Sequence, residues 1–256
     1  MARKKQEPLK AKIAPDHPFF DIIEEAYRVF AYPTPTNIEV CEGCCMYPEV
    51  EADFFNPAIE DLPLHYLRDW FFAAYDPGGV SKGIWGYLLP RILEVLAVGQ
   101  EVAMVGFEVS LNRFATGKAE NWSAEEWQVL NRFQRAYLDR EITFGGDGDF
   151  IDDTLCMFGI AGWPLDDLFA QVAAYPDQVL AEHFWHDWCQ GKPSIWIDAF
   201  WEGDGNTAAF NFYTSRALYD RMASLALADD TPDELAVKAS AVAAVIEAHA
   251  DWAAGT

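Results

Sequence analysis

Cationic side chains are scarce in this chain. Lys and Arg number 18 against 41 Asp and Glu, a formal net charge of -23 over 256 residues. Five of the cations, Arg3, Lys4, Lys5, Lys10 and Lys12, crowd into the first twelve residues, so the rest of the chain carries 13 basic against 40 acidic side chains, or -27. Such a body repels nucleic acid, whose binding needs phosphate neutralisation, and repels anionic membrane surfaces. Long apolar runs are missing too: none approaches the ~20 residues that span a bilayer. The N-terminus lacks the apolar stretch of a signal peptide. The expectation is therefore a cytoplasmic protein with reduced thiols, no nucleic-acid partner and no membrane partner. Strand-type alternation is absent apart from Ile195-Trp196-Ile197, which has no partner strand in the pattern. No fixed-period repeat exists, which excludes a regular solenoid.

The apolar content is high. Just over half the residues are hydrophobic, with 10 Trp, 10 Tyr and 18 Phe, enough to build a core and to exclude disorder of the body. The spacing of those residues is helical. Phe19, Ile22, Ile23, Ala26 and Phe30 share one side of a helix over 18–30. Leu67, Trp70, Phe71 and Ala74 do so over 61–75. Trp85, Leu88, Leu89, Ile92, Leu93 and Leu96 continue the pattern with Pro90 inside it. Either one helix kinks there or a new one starts at Leu89 with Pro90 in its first turn, and the second reading is favoured. Val102, Val105 and Val109 mark a further helix. Ser123-Ala124-Glu125-Glu126 is a capping box, with Trp127, Leu130, Tyr137 and Leu138 facing inward behind it. Helices follow over 151–158, 164–174, 177–190 and 206–226. A last one is capped by Thr231-Pro232-Asp233-Glu234. The fold class is all-α, an irregular multi-helix bundle or stack of helix pairs. The organisation expected is a disordered basic arm over 1–15 and a single helical domain over 16–256, with a subdivision near 145–150 left open.

Chemistry-bearing residues are few. Three of five cysteines fall in Cys41-Glu42-Gly43-Cys44-Cys45, and the odd total argues against a purely disulfide framework. Cys41 and Cys44 form a C-x-x-C turn, half of a zinc site, because two thiolates at that spacing clasp one edge of a tetrahedron. They are the candidate metal ligands, with a structural zinc as the implied ion. The remaining donors with shared geometry are His183, His186 and Cys189, on one side of a helix. Gly79-Val80-Ser81-Lys82-Gly83 matches a nucleophile elbow but lacks the strand that motif requires. Asp147, Asp149, Asp152 and Asp153 fail the calcium-loop register and read as a solvated acidic loop that caps the next helix.

Leu88-Leu89-Pro90-Arg91-Ile92-Leu93-Glu94, with the earlier C-x-x-C, resembles a bacterial all-helical family with an F-L-P-R-[IL]-L-E-L core. The resemblance implies a self-contained helical domain and brings no activity or catalytic residue with it. With no assembled catalytic constellation, the leading functional expectation is a non-enzymatic acidic protein-binding module, such as an immunity or inhibitor protein for a basic toxin or enzyme. The alternatives are a zinc enzyme using the cysteine cluster and the His183/His186 helix, with Glu182 as base, or a structural subunit of a larger assembly.

Overall fold

The structure is a computed structural model that describes residues 13–41, 45–75, 78–144 and 150–253. Among them it contains helices and no strand, the all-α class that the periodicity predicts. The chain divides into two compact units, Met1–Ala136 and Tyr137–Thr256. The division falls inside a long helix rather than at the glycine-rich stretch 145–149, which lies outside the described residues.

The first unit is assembled from α1 (Phe20–Val29), α2 (Pro48–Asp53), α3 (Leu64–Phe72), α4 (Lys82–Ala97) and the beginning of α5 (Ala124–Phe144). Its centre is α4, which is buried on every side from Ile84 to Ala97. A helix apolar all round is a core helix, and that explains the disagreement over Pro90. The proline lies inside one continuous helix. A proline cannot bond the carbonyl one turn back and crowds it, a defect of about 3 kcal/mol that burial on all faces offsets here. The helix starts eight residues earlier in the pattern than Pro90 suggests, at Ser81, whose hydroxyl accepts the Ile84 amide. This accounts for the serine of the apparent nucleophile elbow.

The two charges of the Leu-Pro-Arg-Ile-Leu-Glu stretch meet in the interior. Arg91 and Glu94 are 5 % and 1 % exposed and form an ion pair one turn apart. The Arg91 Nε also donates to the Leu62 carbonyl at 3.0 Å. Glu94 accepts the Tyr27 hydroxyl of α1 at 2.5 Å and the Ile13 amide at 3.4 Å. Burial, together with the Glu94 carboxylate, pushes the Tyr27 phenol well above its ordinary range. The pair thus ties α4 to α1, to the turn before α3 and to the N-terminal segment. Ile13, which the sequence assigns to the disordered arm, is buried; residues 1–12 lie outside the described residues.

Other departures have equally local causes. The helix expected over 61–75 is a short 3-10 turn, Ile59–Asp61, followed by α3, which stops at Phe72. There Arg113, buried, donates to the carbonyls of Phe71 and Ala73 and lies over the rings of Trp70, Phe71 and Tyr75. Its cationic head satisfies the negative helix end. Burial lowers the Arg113 pKa to about 10. The valine-marked helix near 102–109 is reduced to a 3-10 turn, Phe107–Leu111, with Met104 and Val105 exposed. Gly106, at φ 140°, interrupts the run of three valines. The capping box at Ser123 is present: Ser123 N–H donates to Glu126 at 2.7 Å and Glu126 N–H to the Ser123 hydroxyl at 3.2 Å. Glu126 also accepts Tyr32 Oη at 2.5 Å and Lys82 Nζ at 3.3 Å.

The second unit holds the end of α5, α6 (Ile151–Ile160), α7 (Leu165–Ala173), α8 (Asp177–Cys189), α9 (Gly205–Tyr213), α10 (Arg216–Leu227) and α11 (Asp233–His249). The single segment expected over 206–226 is two helices, because Ser215 begins a new one by accepting the Leu218 amide. The last helix starts with Pro232 at the cap and no side-chain cap bond, so Thr231 does not cap it. The alanine-rich α11 packs against α10 and α8, and α6 against α7 and α9. Between α8 and α9 lies an irregular strap, residues 190–204, which includes Ile195-Trp196-Ile197 in no regular structure.

Replacing Glu94 with Ala leaves the Arg91 guanidinium buried without its carboxylate. The expected loss is about 3–5 kcal/mol of unfolding free energy, read from urea denaturation against wild type.

Candidate functional site: the acidic face of the second unit

The strap is held down by carboxylates of α6. Asp152 and Asp153 open that helix, and both are buried, not solvated as the sequence suggests. Asp152 Oδ2 accepts the Asp198 amide at 2.6 Å and the Trp201 indole N–H at 3.0 Å, and its Oδ1 accepts the Tyr213 hydroxyl at 2.9 Å. Asp153 Oδ1 accepts the Trp196 indole N–H at 2.8 Å. Its Oδ2 accepts the Phe150 amide at 3.2 Å, which is the helix-capping role the sequence predicts. Asp198, itself buried, accepts the Phe200 amide at 2.6 Å. One carboxylate oxygen of Asp198 lies within 4.8 Å of one of Asp153.

Trp201 seats the strap by shape as well. A Cβ at Gly159 of α6 would lie 2.4 Å from the Trp201 ring, and one at Gly205 of α9 would lie 2.6 Å from it. Only glycine lets both helices approach the indole this closely.

Burial pushes Asp152 from 3.8 up to about 6, although three donors point at it. The same burial, reinforced by Asp152, drives the Tyr213 phenol far above its ordinary value. The donors to Asp152 are a backbone amide, an indole and a phenol. The carboxylate is held by neutral N–H and O–H donors, which satisfy its lone pairs without cancelling its charge.

Beside the strap runs α8. A groove of about 380 Å³ is lined by His183, His186, Glu182, Trp185, Val179 and the end of α5. His186 Nδ1 is 3.0 Å from Asp187 Oδ1, and Asp187 Oδ2 accepts the Ile151 amide at 3.2 Å. Burial raises the Asp187 pKa, and His186 and Ile151 oppose that rise. Burial also lowers the His183 pKa, with Asp187 opposing. The His186 ring leads to Phe150 and through it to Trp196, at centroid distances of 6.4 and 5.0 Å. Trp196 is 44 % exposed.

The sequence places His183, His186 and Cys189 on one helix side, and the first two do line one groove. Neither belongs to a set of three converging ligand side chains among the described residues. The other half of the zinc reading is changed as well. Cys41 is a half-cystine, so its sulfur is in a disulfide and is not a thiolate ligand. Its amide donates to the Ala74 carbonyl at 2.7 Å. Cys44 lies outside the described residues. Cys41 and the α8 histidines belong to different units. What sequence reasoning missed is the strap network. Its signal was the doubled acid Asp152-Asp153 at the head of an otherwise apolar helix, together with three aromatic residues, Trp196, Phe200 and Trp201, in a ten-residue stretch without a cation.

Asp152 gives a signed pH dependence. Its folded pKa is raised, so its contribution to stability is fully present below pH 4 and is lost as pH rises through about 6. Over that interval wild type should lose roughly 3 kcal/mol relative to Asp152→Asn, whose side chain does not titrate. Chemical denaturation of both proteins from pH 4 to 7 measures the difference; parallel curves would refute it.

In comparisons with known proteins, no family model, no curated protein and no solved structure matches this chain.

Proposed function

We propose that this chain is a non-enzymatic acidic binding module whose partner is a basic protein, in the manner of an immunity or inhibitor protein that covers a basic toxin or enzyme. The observation that carries this reading is where the cations go. In the first unit Arg28 and Arg132 pair with Glu25, Lys82 with Glu126 and Arg91 with Glu94. In the second, Arg140 pairs with Glu141, Arg216 with Asp220, Arg221 with Asp177, and Lys238 with Glu182 and Glu234. That unit has 21 acidic and 5 basic side chains in sequence, and four of its five cations are already committed inside it.

The remaining negative charge therefore stands outward. Asp166, Asp167, Glu202, Asp204, Asp229 and Asp230 are exposed, and among the described residues no cation is paired with them. A field of one sign steers an oppositely charged partner and raises its association rate. The grooves support the same reading. The one along α8 is a surface trough that opens to solvent, lined by two imidazoles, a tryptophan and the Glu182 carboxylate.

A chain of this kind should recover, from cells that encode it and in low salt, a partner with a basic isoelectric point that rebinds as purified protein. The association rate of that purified pair should fall about 10-fold or more between 50 and 500 mM salt. Recovery of chaperones alone, or a salt-independent rate, would refute the reading.

A further inference from the structure

One three-part arrangement recurs in the second unit. Lys238 Nζ lies 5.1 Å over the Trp185 ring and 2.7 Å from a Glu182 oxygen. Arg216 lies 5.0 Å over Trp252 and 5.3 Å over Tyr219, with Nε 2.8 Å from Asp220. Arg140 lies 4.3 Å over Tyr137 with a nitrogen 2.6 Å from Glu141. In each, the face of an aromatic ring and a carboxylate hold one cation between them, so ring quadrupole and formal charge act in the same direction.

Trp196 offers a ring with a carboxylate bonded at its edge and, among the described residues, no cation over its face. Its indole N–H is fixed by the buried Asp153, one of whose carboxylate oxygens lies within 4.8 Å of one of Asp198. Phe150 packs against it, and almost half its surface faces solvent. Among the described residues no Lys or Arg lies over its ring. The strap that carries it is pinned at Asp198 and Trp201, so the ring is presented in a preset position and little freedom is left to lose on contact. An exposed, rigidly held tryptophan backed by negative charge has the physical profile of an interface anchor.

We propose that Trp196 is the docking point for an arginine side chain of the basic partner, which stacks on the exposed ring face while the buried Asp153 carboxylate at the ring's edge supplies negative charge. The inference rests on the acidic-module reading above and adds a location and a residue type. Arginine is favoured over lysine because its flat, weakly hydrated guanidinium stacks on an indole.

The test uses the full chain and two probes, nona-arginine and nona-lysine peptides, at low salt. The expected results are tighter binding of nona-arginine and a saturable shift of the Trp196 indole N–H resonance, with the Trp127 resonance unmoved. Trp196→Ala should weaken nona-arginine binding about ten-fold. The indole resonance in wild type decides the matter even if that variant unfolds. Binding with the Trp196 signal unmoved would overturn the docking point and leave the acidic module standing. No binding of either peptide would overturn both.

Discussion

A buried carboxylate in a chain so short of cations must be satisfied mainly by neutral donors, and the second unit is organised around that requirement. Asp152 collects a backbone amide, an indole and a phenol from residues 46 to 61 positions away. Each bond is modest by itself. The demand behind them is not, because an unsatisfied ionised oxygen in the interior would be far more unfavourable than any one bond is favourable. The strap lies where it does because those oxygens need partners, and the aromatic residues on the strap supply them. The first unit solves the same problem differently, placing one of its few cations, Arg91, beside Glu94.

This division of labour determines what the surface can be. Each paired cation offsets one carboxylate, and the carboxylates in excess set the negative field outside. The result is a second unit whose surplus charge is of one sign. Charge of that kind adds little to folding and acts on approach and selection of other molecules. In the proposed binding module, the aromatic groups held at its edge add short-range recognition that a diffuse field lacks.

Much of the fold was legible in the sequence, and the reason differs from element to element. The start of α5 was readable because Ser123 and Glu126 form a reciprocal local motif needing nothing beyond four residues. The α4 boundaries were not, because that helix is apolar on every face and offers no polar side to mark its ends; Pro90 then looked like a start. Arg91 and Glu94 stood out as charges in an apolar run, yet their partners Tyr27, Leu62 and Ile13 are set by tertiary contact. Asp152 and Asp153 were misread as solvated because acids next to a glycine-rich stretch usually are. The α8 groove was half visible: helical spacing aligned His183 with His186, but no spacing could reveal that Trp196, ten residues on, reaches the same face through Phe150.

The packing of Trp201 between Gly159 and Gly205 limits how this chain can drift. A side chain at either glycine would collide with the indole, and loss of the indole would leave a void against both helices and remove a donor from Asp152. No single replacement among the three is neutral, so the three positions are sterically coupled. Where lineages diverge, these positions should change together or not at all, independently of whatever the acidic exterior comes to recognise.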